Sequence, residues 1–384
     1  MTNNNKKAEK KIVKYVRKLL YILYFFGFVF IALEIFLRLY NPFHFRLKGD
    51  RIILPVDQKT TIYNSINPKL DSIIVNTRNA LGFRGPDKPL NFEDHLSIIT
   101  VGGSTTECKF LNDNKTWPFL LGVALGHGFK NIWLNNAGLD GHSTFGHQVL
   151  LNDYIIRLHP KIVTFLVGIN DVESDQPSFH DKLNTKGAYP DLKHFIAENS
   201  EVINLVINFS RGWRAQKLNN TTQKLLVLKK DNDIVLPDSV YQQRLNDQNK
   251  YLPNYQKRIE QLMDTCIKHG IEPVLITQPN LFGIGTDSAS GVNLETFKVE
   301  PGLSGRLLWK ILEEYNDVTR KVCAQKNIPL IDLAHLMPKN SIYFYDASHF
   351  TNAGAQKVAD IIAQQLKNIL EKDFPSYSLN ASPQ

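Results

Sequence analysis

Residues Leu96–Thr106 read LSIITVGGSTT, and this stretch predicts a buried strand that is followed at once by a tight turn and a helix start. Apolar or β-branched residues fill its first half, Gly102 and Gly103 end the strand, and Ser104 comes directly after them. Open α/β sheets bind ligands at the C-terminal edge of their strands. A helix N-terminus at that edge offers unpaired N–H groups and a partial positive charge to an anion. We therefore interpret Ser104 as a candidate nucleophile, with an N-cap after a glycine turn as the alternative.

Similar apolar runs recur along the chain and predict a parallel sheet. Five of them are typical of strands buried on both faces: Ser97–Val101, Asn131–Leu134, Lys161–Val167, Glu272–Thr277 and Pro329–Leu333. One helical pattern lies before each of the last four runs, and a fifth follows the last run. These patterns are Trp117–Gly126, Phe145–Leu158, Tyr255–His269, Leu307–Lys326 and Asn352–Leu370. Strands that alternate with helices predict an α/β protein with a five-stranded, doubly wound parallel sheet.

The chain divides into five segments by composition. A basic tail (1–18) precedes an apolar anchor (19–40) and a lead-in segment (41–95). The main domain (96–372) follows, and a flexible tail (373–384) ends the chain. Within the main domain, about 172–252 is too long for one crossover and predicts a helical insertion over the site. Leu281–Pro301 is expected to be a loop. In the lead-in segment, Arg51–Leu54 and Ile73–Asn76 resemble short strands.

An apolar run near the N-terminus predicts a membrane anchor. Leu19–Leu33 contains no charged residue, and the run continues around Glu34 and Arg38 to Leu39, roughly the 30 Å that a spanning helix covers. A cleaved signal peptide is the rival, but its apolar part would be shorter and would end at small residues. The basic residues before the run predict a cytoplasmic N-terminus and a main domain on the extracytoplasmic side, in the cell envelope or outside it.

Charge and histidine spacing argue against two classes of function. Seven basic residues and one glutamate in 1–18 account for +6 of the net charge of +8, so the main domain has no strongly basic face and no nucleic-acid partner is predicted. His142 and His147 have no third ligand at a suitable spacing, so no metal is predicted.

The three cysteines predict no framework either. Cys108, Cys266 and Cys323 are far apart and odd in number, so no disulfide pattern or zinc spacing follows from them. We interpret Cys108, which lies one turn past the candidate nucleophile, as a packing residue.

Polar residues follow the ends of three other predicted strands, and a parallel sheet would bring them to the same edge as Ser104. His349 can act as the base that takes the serine proton, and Asp346, three residues earlier, can hold the other ring nitrogen. The Ser104 N–H, the Gly138 N–H and the Asn170 side-chain amide are candidate donors to the oxyanion of an acyl-transfer intermediate.

Each of these residues also has a structural interpretation. Gly138 can be a turn glycine, and His349 can be one of several structural histidines. Asn170 and its neighbour Asp171 can cap a helix, as can Asp346. Before the first core strand, the turn-rich stretch 79–86 contains Arg84, which either belongs to a simple turn or points into the site. The joint occurrence of the polar groups at separate strand ends favours the catalytic interpretation.

The set resembles the SGNH hydrolases, the GDSL-like esterase and lipase superfamily. The four blocks that carry the resemblance occur in family order: Gly102-Gly103-Ser104-Thr105, Asn136-Ala137-Gly138, Gly168-Ile169-Asn170-Asp171 and Asp346-x-x-His349. The first block departs from the usual Gly-Asp-Ser, because Gly103 stands where the family has aspartate. The resemblance covers about residues 96–370 and implies a flavodoxin-like three-layer α/β/α sandwich, hydrolysis of ester or thioester bonds, and no cofactor.

Taken together, the sequence leads to the hypothesis of a membrane-anchored, outward-facing serine esterase. Location and family habit suggest an O-acetyl or other acyl ester on an envelope or extracellular glycan, and an acyl lipid is the nearest rival substrate. An O-acyltransferase that uses the same residues, and an inactive envelope-binding protein on the same fold, remain alternatives. The G-x-S-x-G elbow, the P-loop, the dinucleotide fingerprint and H-E-x-x-H are absent from the sequence.

Overall fold

The computed structural model describes residues 3–43, 47–48, 51–52, 54–65, 67–178, 180–181, 196, 199–217 and 226–379. In this part of the chain the strands are β1 (Leu47–Lys48), β2 (Arg51–Ile52), β3 (Gln58–Tyr63), β4 (Ile73–Arg78), β5 (Leu96–Gly102), β6 (Ile132–Asn136), β7 (Ile162–Val167), β8 (Glu272–Thr277), β9 (Lys298–Glu300), β10 (Leu303–Ser304) and β11 (Leu330–Ile331). The α-helices are α1 (Asn3–Leu39), α2 (Ser104–Glu107), α3 (Trp117–Leu125), α4 (Thr144–Leu150), α5 (Glu201–Lys217), α6 (Asp238–Asn246), α7 (Leu252–Lys268), α8 (Gly305–Lys326), α9 (Leu333–Leu336) and α10 (Asn352–Asp373).

The chain forms two compact units. One comprises Met1–Ile53 and Asn184–Thr222, and the other comprises Leu54–Leu183 and Gln223–Gln384. The second contains the central sheet, and we call it the hydrolase unit after the family that its sequence resembles.

A five-stranded parallel sheet with the order β6-β5-β7-β8-β11 is the centre of the hydrolase unit. In chain order this is the 2-1-3-4-5 arrangement of flavodoxin-like folds. The order reverses between β5 and β7, so the crevice at that switch point is where such sheets bind ligands. Every residue of β5 is buried, as its apolar sequence predicts. The expected α/β class and five-stranded parallel sheet are confirmed.

Helices cover both faces of the sheet and complete the three layers. On one face, α3 and α10 pack against each other and against side chains from β5, β6, β7 and β8. On the other face, α7 packs against α4, α8 and β8. The buried residues of α7 include Tyr255, Ile259, Leu262 and Cys266, a spacing of three or four that forms one apolar stripe.

Two predicted elements are shorter than expected. The fifth strand ends at Ile331 instead of Leu333, because the chain turns at Asp332, whose carbonyl oxygen accepts N–H groups from the short helix α9. The helix expected over Phe145–Leu158 remains α-helical only to Leu150, after which Leu151–Ile155 form a π-helical turn.

The segment before the first core strand contains a hairpin of which only the second strand was predicted. The strands β3 and β4 pair in antiparallel register from Gln58↔Arg78 to Tyr63↔Ile73. Strand β3 has no buried residue, so it lacks the apolar alternation by which a half-buried strand is recognised. Leu54–Leu183 belong to one compact unit, so this hairpin lies in the same unit as the central sheet.

The C-terminal residues are also more ordered than expected. Between Phe374 and Leu379 the chain pairs with the segment before β6: Lys130 N donates to the Tyr377 carbonyl at 2.8 Å, and Leu379 N donates to the Gly128 carbonyl at 2.9 Å. Of the expected flexible tail, residues 380–384 lie outside the described residues.

In the other unit, α1 runs through most of the predicted basic tail and the predicted anchor as one helix. Within its segment Lys11–Leu39, an 18-residue window reaches a mean hydropathy of 2.3, so the helix is long and apolar enough to cross a membrane. A signal sequence would pass the same test. Within this unit α1 packs against α5, which belongs to the predicted insertion. Residues 182–195 and 218–225 of that insertion lie outside the described residues.

Arg84 secures the chain that follows the nucleophile candidate. Its side chain is 2% exposed and forms an ion pair with Asp113 at 2.7 Å. Its guanidinium also donates to the carbonyl oxygens of Glu107, Cys108 and Leu111. The site-pointing alternative for Arg84 is therefore wrong, because all these contacts hold the guanidinium against the backbone that follows α2.

Replacing Arg84 by alanine is expected to destabilise the hydrolase unit by roughly 3 kcal/mol, because three carbonyl groups and Asp113 lose a buried donor. Urea unfolding followed by circular dichroism measures this loss. Arg157→Ala, which removes an exposed arginine, is the matched control and should change the free energy of unfolding by only a few tenths of a kcal/mol. Equal losses in the two variants would contradict the assignment.

Candidate active site

Ser104 is the first residue of the one-turn helix α2, directly after the turn that ends β5. Its Oγ lies 2.8 Å from His349 Nε2, although 245 residues separate the two in the chain. The backbone N–H groups of Ser104 and Thr105 have no acceptor among the described residues. The hydroxyl group therefore lies beside both a base and two free donors at a helix N-terminus.

His349 is oriented by Asp346 in the loop before α10. Asp346 Oδ2 lies 2.7 Å from His349 Nδ1, and its other oxygen accepts the backbone N–H groups of Ser348 and His349 at 2.9 and 2.8 Å. The expected alternative, that Asp346 caps the last helix, is wrong, because the Thr351 side chain caps α10. One carboxylate thus fixes both the loop backbone and the imidazole ring.

The charges of this pair favour the ionised forms. Burial alone would raise the pKa of Asp346, but hydrogen bonds from His349 and the charge of its ring hold that pKa below its usual value. Burial alone would lower the pKa of His349, but the hydrogen bond and the negative charge of Asp346 raise it above its usual value. Asp140, which is exposed, adds to the rise in the pKa of His349.

Tyr345 packs against one face of the same imidazole. Its ring stacks on that of His349, with centroids 5.4 Å apart and an interplanar angle of 8°. The phenol ring is 5% exposed, so it shields one face of the imidazole from water. Sequence reasoning did not identify Tyr345 or Asp140, and the only signal for Tyr345 was an aromatic residue directly before the Asp-x-x-His block.

Asn170 lies in the turn after β7, where the chain turns at Gly168 with a φ of +125°. One N–H of its amide donates to the His142 carbonyl oxygen at 2.8 Å. An asparagine amide carries two N–H groups, so a second donor remains. The amide is packed against Gly103, since a Cβ added there would lie 2.3 Å from Asn170 Nδ2.

Gly103, which stands where the family has aspartate, leaves the space that the Asn170 amide occupies. The φ of Gly103 is −82°, which any residue can adopt, so lack of space and not backbone strain favours glycine at this position. A side chain there would displace the amide of Asn170 from the start of α2.

Gly138 lies close to the nucleophile helix, but its N–H is already used. It donates to Asn136 Oδ1 at 2.8 Å, while Asn136 Nδ2 donates to the Thr106 carbonyl at 2.7 Å. A Cβ on Gly138 would lie 2.3 Å from Glu107 N, so glycine allows this loop to contact α2. The Gly138 N–H could reach an oxyanion only by sharing or leaving its bond to Asn136.

A buried ion pair supports the same contact. Arg78 and Glu107 are hydrogen-bonded, and both side chains are at most 10% exposed. Glu107 Oε2 accepts the Asp140 N–H at 2.7 Å and so ties the loop after Gly138 to α2. Sequence reasoning did not identify this pair, because its members are 29 residues apart and belong to no motif.

Asp171, next to Asn170, holds the start of α4, although the N-cap residue of that helix is Ser143. Its carboxylate accepts the Thr144 N–H at the start of α4 and pairs with Arg258 at 3.3 Å. Burial raises the pKa of Asp171 to about 6, although Thr144 and Arg258 act against this rise. Asp171 therefore joins α4, α7 and the end of β7, and among the described residues it is not bonded to Ser104 or His349.

The residues considered for metal and thiol chemistry are buried. His142 and His147 are each 1% exposed, with ring centroids 6.1 Å apart. In the part of the chain that the structure describes, no group of three His, Cys, Asp or Glu could hold a metal ion. Burial raises the pKa of the Cys108 thiol to about 12, as expected for a packing residue.

A small cavity lies against the serine and the imidazole. Its lining is apolar apart from Ser104, Thr105, Tyr345 and His349, and it also includes Cys108, Phe110, Leu111 and Phe350. Its volume of about 10 Å³ is comparable with the roughly 10–15 Å³ that one water molecule needs. Only a short group would fit beside Ser104 without movement of these side chains.

Three solved structures are similar to this chain at low sequence identity. An acetylxylan esterase from Geobacillus stearothermophilus is 13% identical, covers 70% of this chain and 93% of its own, and has a TM-score of 0.41. A GDSL-like lipase from Bacteroides thetaiotaomicron is 13% identical, with 75% and 93% coverage and a TM-score of 0.37. An α/β hydrolase from a Lake Arreo metagenome is 14% identical, with 71% and 96% coverage and a TM-score of 0.40. No curated protein matches the chain significantly.

The model of the GDSL-like lipase/acylhydrolase family matches residues 99–357, which is more than half of the chain and includes all four sequence blocks. The chain therefore belongs to the GDSL-like lipase/acylhydrolase family, and it is a hydrolase that acts on ester bonds.

Proposed function

We propose that the protein is a membrane-anchored serine esterase that removes a short acyl group, in the first instance acetyl, from an envelope or extracellular glycan. The observation that carries the catalytic part is the chain of contacts from Ser104 Oγ to His349 Nε2 at 2.8 Å and from His349 Nδ1 to Asp346 Oδ2 at 2.7 Å. A neutral imidazole between a hydroxyl group and a carboxylate can accept the hydroxyl proton while the carboxylate stabilises the resulting cation.

In the proposed reaction, Ser104 Oγ attacks the acyl carbonyl carbon as its proton passes to His349 Nε2. The carbonyl oxygen becomes an oxyanion, which the Ser104 N–H and the second N–H of Asn170 stabilise. Gly138 joins them only if its N–H leaves or shares Asn136. The intermediate expels the alcohol, which takes the proton from His349, and a water molecule then attacks the acyl-enzyme by the same route.

Two features support a short acyl group and an extracytoplasmic substrate. The cavity of about 10 Å³ beside Ser104 has little room beyond a methyl-sized group. The helix segment Lys11–Leu39 is apolar enough to span a membrane, and the basic residues before Leu19 favour an N-terminus in the cytoplasm. This topology would place the hydrolase unit where acylated glycans of the envelope are found.

Replacing Ser104 by alanine is expected to lower kcat for an activated acetyl ester by about 10⁴-fold or more, because the covalent step is lost. The measurement is turnover of the ester together with covalent labelling by a fluorophosphonate probe. The wild-type protein should take up the probe at Ser104. A Ser174→Ala variant, which removes another serine of the same unit, should keep both turnover and labelling. Unchanged turnover in the Ser104 variant would exclude the proposed nucleophile.

Replacing Gly103 by alanine is expected to lower kcat by about 10²-fold, comparable with the loss of one oxyanion donor, because the new Cβ displaces the Asn170 amide. The test compares kcat in the Gly103→Ala, Asn170→Ala and double variants. If both act on the same amide, the double variant loses little more than either single variant. Fully multiplicative losses would show that Gly103 acts independently of Asn170.

The acid limb of the pH–activity profile should follow the protonation of the His349 imidazole. Only the neutral imidazole accepts the serine proton, so kcat/KM should rise as pH increases through the His349 pKa. Asp140→Asn removes a negative charge that raises this pKa, so the limb should move to lower pH while the plateau changes little. Asp231→Asn, at another exposed acidic residue of this unit, should leave the limb in place and serves as the control. A shift in the opposite direction in the Asp140 variant would refute this electrostatic role.

A further inference from the structure

The side-chain carboxylate of Glu34, in α1, lies at the N-terminus of α5 and joins the two helices. Glu34 accepts the N–H groups of Glu201 and Val202 at 3.0 and 3.1 Å and the hydroxyl of Ser200 at 2.8 Å. Arg38 donates to Glu34 at 2.8 Å and also hydrogen-bonds the carbonyl oxygen of Asn199. Two residues near the end of α1 therefore take up the polar groups at the start of α5, where a carboxylate is electrostatically favoured.

The position of Glu34 fixes where along α1 the second helix begins. Glu34 is the first charged residue after the uncharged stretch Leu19–Leu33. If that stretch occupies the hydrocarbon core, Glu34 lies at its polar boundary, and the start of α5 lies there too. This step rests on the proposed membrane anchor.

Two large apolar side chains of α5 are exposed. Val206 is 62% exposed and Phe209 is 55% exposed, whereas Asn204 is 5% exposed. The ring of Phe209 also meets Phe43, which follows the end of α1, with centroids 5.5 Å apart. The apolar surface of α5 is therefore next to the end of the apolar helix.

The composition of α5 suits the surface of a bilayer and not a second span. Its 17 residues include Glu201, Asn204 and Asn208, and its C-terminal half contains Arg211, Arg214 and Lys217. Polar and basic residues at this density are too costly inside the hydrocarbon core. A helix that combines exposed apolar residues with basic residues in its sequence is typical of the membrane interface.

We propose that α5 is an interfacial helix, docked on the end of α1 through Glu34, with Val206 and Phe209 in the lipid at the extracytoplasmic surface. The first unit would then be a membrane-binding element of two helices: one crosses the bilayer and the other lies along its surface.

Nitroxide accessibility in the full-length protein tests this proposal. Spin labels at Val206→Cys and Phe209→Cys, in vesicles that contain phosphatidylglycerol, are compared with labels at Leu23→Cys in α1 and at Val235→Cys in the hydrolase unit. All of these positions are exposed, whereas Cys108, Cys266 and Cys323 are buried, so the label goes to the introduced cysteine. We expect the labels at 206 and 209 to be several-fold less accessible to a water-soluble nickel chelate than the label at 235.

Adding Glu34→Ala should raise nickel accessibility at 206 and 209 several-fold and leave Leu23 unchanged, because only the docking of α5 is lost. Unchanged values at 206 and 209 would exclude Glu34 as the docking residue.

A carbonate wash separates failure of the interfacial helix from failure of the membrane anchor. If the protein stays in the membrane but the labels at 206 and 209 are as accessible as the label at 235, the interfacial helix is excluded. If the wash releases the protein, the anchor itself fails.

Discussion

The parallel pairing of β5 with β7 is the constraint on which the site depends. Gly102 pairs with Leu166, so the two strands end at nearly the same level and their following turns meet. Ser104 directly follows the turn after β5, and Asn170 lies in the turn after β7. The amide of Asn170 packs against Gly103. His349 approaches from a loop that is itself fixed to the body, since Leu281 N donates to the Ala347 carbonyl at 2.8 Å. Strand register and one loop hydrogen bond therefore bring distant polar groups together.

The one-turn helix that carries Ser104 is too short to be stable alone, and its surroundings hold it in place. The Thr105 carbonyl oxygen accepts a hydrogen bond from the Trp117 indole N–H at 3.0 Å, and the Thr106 carbonyl accepts one from Asn136. Arg84 takes the next two carbonyl groups. Fixed side chains thus bind the carbonyl groups at its C-terminal end, whereas the Ser104 and Thr105 N–H groups have no acceptor in the described part of the chain.

The sequence allowed the sheet and the polar residues at its edge to be predicted, because both depend on local patterns. Buried parallel strands such as Ile162–Val167 are continuous apolar runs, and the polar blocks follow directly after them. The exposed strand Gln58–Tyr63 left no such pattern. Contacts between distant residues were also out of reach, since nothing local indicates that Arg78 pairs with Glu107, 29 residues later. Tyr345 lies only four residues from His349 and Asn136 only two from Gly138, but the sequence does not fix the side-chain conformations that bring them together.

The pairing of the last residues with the segment before β6 has a practical consequence for making the protein. The hydrogen bonds from Lys130 to Tyr377 and from Leu379 to Gly128 join the end of the chain to the turn that leads into an edge strand of the sheet. A truncation that ends at the last residue of α10, Asp373, would leave the Lys130 N–H and the Gly128 carbonyl without these partners. Affinity tags and fusion partners are therefore better joined after Leu379 than in place of these residues.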